Sequence, residues 1–178
     1  MTLQELGSIG ELLGAFATIA TLAYLAVQIR QNTRATRVSS LQYTLDGGRD
    51  HTIQPLLNHP DLVEVYARGM AAYEEVSAPE QARFTWFVVE TVLQMQNVMQ
   101  LHDEGILDDV NYEAWLVYTA AILRTPGGSI VWPQVSAIVS PTIADELANF
   151  LADRPDGPSL LEVMPVMDAR KWNTGRTR

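Results

Sequence analysis

LLGAFATIATLAYLAVQI, residues 12–29, runs for eighteen residues without a charge, and Arg30, Arg34 and Arg37 follow at once. At 1.5 Å of rise per residue, such a helix is roughly 27 Å long, against a bilayer hydrocarbon core of about 30 Å. Leu12, Leu13, Phe16, Ile19, Leu22, Leu25, Val27 and Ile29 each favour insertion by about 0.3–0.6 kcal/mol, roughly 2.5–5 kcal/mol together. Gly14, Thr18, Thr21 and Gln28 erode that sum, but none is charged. A core helix of a soluble protein can also be apolar all round, yet such helices seldom run this far without a charge. The stretch is therefore expected to be a membrane-spanning helix.

The flanks predict its orientation. Only Glu5, Glu11 and the terminal amine precede the run, whereas three arginines lie within eight residues after it. The excess of basic residues places the C-terminal side in the cytoplasm and the short N-terminus outside. There is no basic leading region and no small-residue cleavage site after the run, so an uncleaved anchor is expected. Arg30, Arg34 and Arg37 can reach anionic headgroups, each worth about 1 kcal/mol near the surface. Gly7, Gly10, Gly14, Ala17 and Thr21 recur at spacings of three and four, a small-residue seam of the kind along which helices pack closely in lipid. Its partner would be another transmembrane helix or a second copy. Equally, Gly and Ala are common in membrane helices.

Composition narrows the rest. The chain has 178 residues, 47% hydrophobic and 19% charged. The charged share falls below the roughly 25% of a typical soluble protein. The net charge of −9 argues against nucleic-acid binding, which needs a basic face. No cysteine occurs, so disulfides, thiolate metal sites and Cys nucleophiles are excluded.

The remaining chain reads as helices throughout, and the expected fold is all-α: one transmembrane helix followed by a cytoplasmic bundle of about five helices. Residues 1–37 form the anchor and its basic flank, 38–153 the helical domain, and 154–178 a linker with an apolar and basic tail. Val38, Leu41 and Leu45 form an amphipathic stripe, and Asp46-Gly47-Gly48 marks a kink or break. Helices are expected over Thr52–Leu57 and Asp61–Tyr73. Ser77-Ala78-Pro79-Glu80 combines an N-cap, a first-turn proline and a capping-box glutamate. The helix it starts runs to about Glu104, with Gly105 as its C′ residue. Its inner stripe is Phe84, Val88, Thr91 or Val92, Met95, Val98 or Met99, then His102. Asp108 or Asp109 caps the next helix, whose inner face carries Tyr112, Trp115, Leu116, Thr119, Ile122 and Leu123. Thr125-Pro126-Gly127-Gly128 ends it, Ser129 starts a short helix through Val139 with Pro133 in its first turn, and Thr142–Leu151 closes the domain. After Arg154 the tail holds LLEVMPVM and then Arg170, Lys171, Trp172, Arg176 and Arg178. It suits a partner or the membrane surface, where Trp and basic residues are at home, or it frays.

The segment YLAVQIRQNT, Tyr24–Thr33, resembles a motif of an uncharacterised group of bacterial proteins. These open with a Gly-containing hydrophobic helix. The likeness extends to HPDL at His59–Leu62, SAPEQARF at Ser77–Phe84, Gln96-Asn97, and EGILDD at Glu104–Asp109 with Trp115, and fades after about Leu151. It implies a membrane-anchored helical domain of unknown function and supplies no catalytic residue; with the orientation above, the expected location is the bacterial inner membrane. The Gly47-Gly48 pair departs from the group's pattern.

Sites that carry chemistry are few. His51, His59 and His102 are the only histidines, neighbours on a helix do not face one another, and no Glu-x-x-His pair occurs. No metal ligand set, cofactor site or catalytic motif emerges. Glu90, with Gln94 and Asn97 at i+4 and i+7, forms a polar stripe. Buried, Glu90 would handle protons; otherwise the stripe faces solvent, a helix or a second subunit. Tyr66, Tyr73, Phe84, Trp86, Phe87, Tyr112, Trp115 and Tyr118 either pack the core or line a pocket between helices. The leading expectation is a non-catalytic accessory or structural subunit of a membrane complex or homo-oligomer, touching lipid and another transmembrane protein or itself. A sensor for a small apolar ligand and an enzyme using Glu90 or His102 are the alternatives.

Overall fold

A computed structural model describes residues 3–48 and 54–175, and the described chain is 86% helical with no strand. It divides into two compact units, Met1–Ser40 and Leu41–Arg178. The first consists of the greater part of α1 (Leu3–Gly48), an unbroken helix. The expected kink at Asp46-Gly47 is absent: Gly47 is helical, and the helix is described as far as Gly48. Two glycines cost about 2 kcal/mol in an isolated helix. Residues 49–53, where a break would fall, lie outside the described residues.

The second unit is an all-α bundle. It contains α2 (Gln54–Asn58), α3 (Pro60–Ala72), α4 (Ala78–Asp103), α5 (Asp109–Leu123), α6 (Pro126–Ser136), α7 (Pro141–Asp153) and α8 (Leu160–Val163), with 3₁₀ turns at Tyr73–Glu75, Pro165–Met167 and Ala169–Gly175. α4 lies at the centre and packs against α3, α5, α6 and α7. It buries Phe84, Val88, Thr91, Val92, Met95 and Val98 as its spacing predicts, but also Phe87, Val89 and Leu101. A helix with neighbours on several sides needs more than one stripe. Met70, Ile122, Val131, Val135, Ile143 and Leu147 complete the fully buried core.

Caps set the helix ends. The Ser77 backbone N–H and hydroxyl both donate to the Glu80 carboxylate, at 2.8 and 2.6 Å. These bonds, the hydroxyl's first, hold the Glu80 carboxyl below its usual range, where it stays charged beside the N-terminal dipole. Gly105, at φ +67°, is the one described residue in the left-handed region. Its N–H bonds the His102 carbonyl and the Ile106 N–H bonds that of Leu101, closing α4 in a Schellman turn. Asp108, not Asp109, caps α5 by accepting from the Asn111 backbone N–H at 2.9 Å.

Two expectations need correction. α6 starts at Pro126 with Thr125 as its cap, so Gly127 and Gly128 are first-turn helical residues and Pro133 sits inside the helix. The glycines are there for proximity. A Cβ on Gly127 would lie 1.9 Å from the Gly69 carbonyl oxygen, and one on Gly69 would lie 2.5 Å from the Phe84 ring. Backbones of α3 and α6 thus meet directly over Phe84. Pro133 deprives the Ser129 carbonyl of its helical donor, a loss that costs little because both residues are exposed. The second correction concerns the tail. The domain does not end at 153: Leu160 and Leu161 are 9% and 4% exposed and belong to the core. A second capping box, Ser159 with Glu162, starts the short α8 that carries them.

Candidate functional site

Three places hold the candidate residues. The first is α1. Within the span Leu13–Ser39, an 18-residue window reaches a mean hydropathy of 1.4 and is 0% buried. Leu13, Phe16, Ile19, Leu22, Leu25, Val27 and Ile29 are each 46–66% exposed, and Leu12 lies on the same helix. The polar side chains of residues 12–29 are Thr18, Thr21, Tyr24 and Gln28. Each is engaged within the helix. Thr18 Oγ1 donates to the Gly14 carbonyl and Thr21 Oγ1 to that of Ala17, both at 2.8 Å. Gln28 Nε2 donates to Tyr24 Oη at 2.7 Å. Bonds of this kind lower the cost of taking hydroxyl and amide groups out of water. In the seam, a Cβ on Gly7, Gly10 or Gly14 would meet nothing within 4 Å, and Ala17 and Thr21 are exposed. Arg30, Arg34 and Arg37 are exposed beyond the apolar run.

The second place is the polar stripe of α4. Glu90 and Asn97 are exposed and Gln94 is half-buried, on the side opposite Val88, Val92 and Met95. Proton handling by Glu90 would have required its burial, and the structure leaves it in solvent. The aromatic residues pack mostly on one another. Tyr66 stacks on Phe87 at 4.5 Å between ring centroids, Phe84 touches Tyr73 and Phe87, and Trp115 meets Tyr118 edge-on. Burial pushes the Tyr118 hydroxyl pKa up.

The third place was not evident from local sequence. His102 stacks on Tyr112 at 4.1 Å and its Nε2 lies 2.9 Å from Asp109 Oδ1. Tyr112 Oη donates to Glu146 at 3.2 Å. Desolvation first, then the Glu146 charge, pushes the Tyr112 pKa up to about 12. This arrangement ties α4, α5 and α7 together. Further along, Asp168 is 4% exposed at its side chain and receives Arg170 in a two-pronged pair at 2.7 and 2.9 Å. Those bonds pull its carboxyl pKa down to about 2. A surface cleft of about 690 Å³ runs beside it, lined in part by Arg124, Ser159 and Glu162. Arg124 itself donates to the Arg154 carbonyl at 2.6 Å. Nothing in the local sequence links residues thirty apart.

His59 is exposed at the start of α3, and His51 lies outside the described residues. Among the described residues no group of three or more His, Cys, Asp or Glu side chains converges as a metal site would require. Comparison with protein-family models, curated proteins and solved structures finds no match to the chain. Fold and sites together define an all-α helical bundle with one long apolar N-terminal helix.

Proposed function

We propose that this is a single-pass bacterial inner-membrane protein, N-terminus outside, whose acidic helical domain serves in the cytoplasm as a non-catalytic subunit of a membrane complex or homo-oligomer. The observation that carries the reading is a long helix whose apolar side chains are unburied, with the Thr18 and Thr21 hydroxyls and a Gln28 amide N–H bonded within the helix itself. Water solvates hydroxyls and amides readily but exposed Leu, Ile and Phe poorly, so a helix built this way is at lower free energy in lipid. The arginines at one rim favour the stated orientation. The likeness of Tyr24–Thr33 to the bacterial group points the same way.

Association would run along Gly7, Gly10, Gly14, Ala17 and Thr21, where nothing fills the space above the glycines. The test is purification of the full chain from native membranes in mild detergent. A defined oligomer or a co-purifying membrane protein is expected, weakened by Gly14→Leu. A monomer that carries nothing with it would overturn the subunit reading.

A further inference from the structure

We infer that the ledge formed by residues 163–172 docks the helical domain on an anionic lipid surface. Val163-Met164-Pro165-Val166 are four consecutive exposed residues, with Val163 59% and Val166 71% exposed. Consecutive apolar residues left in water are unusual in a stable domain unless they meet something. Trp172, 40% exposed, joins them, because its indole N–H donates to the Val166 carbonyl at 2.8 Å. That bond satisfies the ring's only polar atom, so the indole can enter an interfacial layer without stranding a donor.

The ledge is also held in shape. Below it, the buried Asp168 carboxylate binds Arg170 through both oxygens, with Lys171 Nζ 3.5 Å away. Leu160 and Leu161 fix the start of the segment in the core. An interfacial site needs such a preformed face, since ordering it on binding would cost conformational entropy.

Charge selects the occupant. The ledge carries Arg170 and Lys171 against one acid, the buried Asp168, whereas residues 41–162 carry five basic residues against eighteen acidic ones. An anionic bilayer repels the acidic body and attracts the ledge, which orients the domain. A second copy meeting ledge to ledge would set like charges against each other. Lipid fits both the apolar and the basic halves.

The inference draws on the proposed bilayer placement for a surface within reach. The natural chain has no cysteine, so single spin labels can be placed on full-length Val166→Cys, Leu22→Cys and Ile138→Cys proteins. Each is reconstituted into phosphatidylcholine vesicles with and without phosphatidylglycerol. The label at 166 is expected to gain oxygen accessibility several-fold and lose nickel-chelate accessibility with phosphatidylglycerol. The change should shrink at 1 M salt, where the screening length falls to about 3 Å, and in a Lys171→Glu background. The label at 138 should stay in water. A 166 label in water in every vesicle, with the 22 label in lipid, overturns the ledge and leaves the anchor standing. A 166 label that is immobilised without gaining oxygen contact means that protein covers the ledge, and also overturns it. A 22 label in water overturns the anchor, while the 166 label still decides the ledge.

Discussion

Replacing Gly127 with Ala tests the packing that positions every site in the second unit. In an exposed helix this change stabilises by about 1 kcal/mol, because alanine is the better helix former. Here the new Cβ would lie 1.9 Å from the Gly69 carbonyl oxygen, 2.9 Å from the Gly69 carbonyl carbon and 3.1 Å from the Phe84 ring. Carbon rests about 3.5 Å from its neighbours, so the α3 and α6 backbones must part by about 1.5 Å. A gap of even 0.5–1 Å forfeits about a quarter to a half of each dispersion contact across it. Phe84, fully buried, lies at the contact that opens. Overpacking of this kind costs about 1–3 kcal/mol, occasionally more. Because backbone and not a flexible side chain is struck, a net loss of about 2–3 kcal/mol is expected. For a unit of this size that lowers Tm by about 6–12 °C. Near-ultraviolet circular dichroism of the full chain in detergent reports the loss of tertiary packing. Gly7→Ala, which meets nothing within 4 Å, is the control for the steric clash and should not lower Tm. A Gly127→Ala protein as stable as the parent would refute the direct backbone contact and with it the placement of α6.

Other expectations follow from single groups. Thr119 Oγ1 is buried without a hydrogen-bond partner among the described residues, so Thr119→Val should stabilise by about 1 kcal/mol in urea unfolding; a loss would show that the hydroxyl is satisfied. The Asp168 carboxyl, held near 2 when folded against a model-peptide value near 3.9, stabilises the fold above pH 4 and loses that contribution as pH falls towards 2. Asp168→Asn should therefore flatten the urea midpoint between pH 4 and 2, and an unaltered slope would exclude the pairing with Arg170. Tyr112 should titrate near pH 12 by its ring-carbon NMR shift and move down in Glu146→Gln, since the carboxylate charge raises it; an unmoved value would remove Glu146 as a cause. Leu22→Arg places a charge costing about 2.5–3.5 kcal/mol in the middle of the span, comparable with the whole insertion gain, and should shift most of the protein out of the membrane fraction. Unchanged fractionation would mean that the helix is not inserted.

Features written in adjacent residues were legible in the sequence. The Ser77–Glu80 box, Gly105 and the Asp108 cap depend on contacts within one turn, and α4 follows from them. Ser159 and Glu162 carry the same capping spacing as Ser77 and Glu80, yet the proline-rich approach reads as linker, and only the burial of Leu160 and Leu161 makes the segment part of the domain. Gly127-Gly128 read as a helix stop because glycine opposes helix locally. The α3–α6 crossing overrides that preference, and no local pattern announces a neighbour fifty-eight positions away. The polar constellations were the least legible. Tyr112 with Glu146 and Arg124 with the Arg154 carbonyl arise from tertiary packing alone, whereas Glu90, singled out by its apolar neighbours in sequence, faces water because α4 buries its other sides.

The central claim is that lipid surrounds residues 12–29. Its most direct test is the intact mass of the protein recovered from carbonate-washed membranes. Retention in the pellet at the full 19.7 kDa is predicted, as an uncleaved anchor requires. Release into the carbonate supernatant, or recovery of a chain lacking the apolar segment, would contradict it.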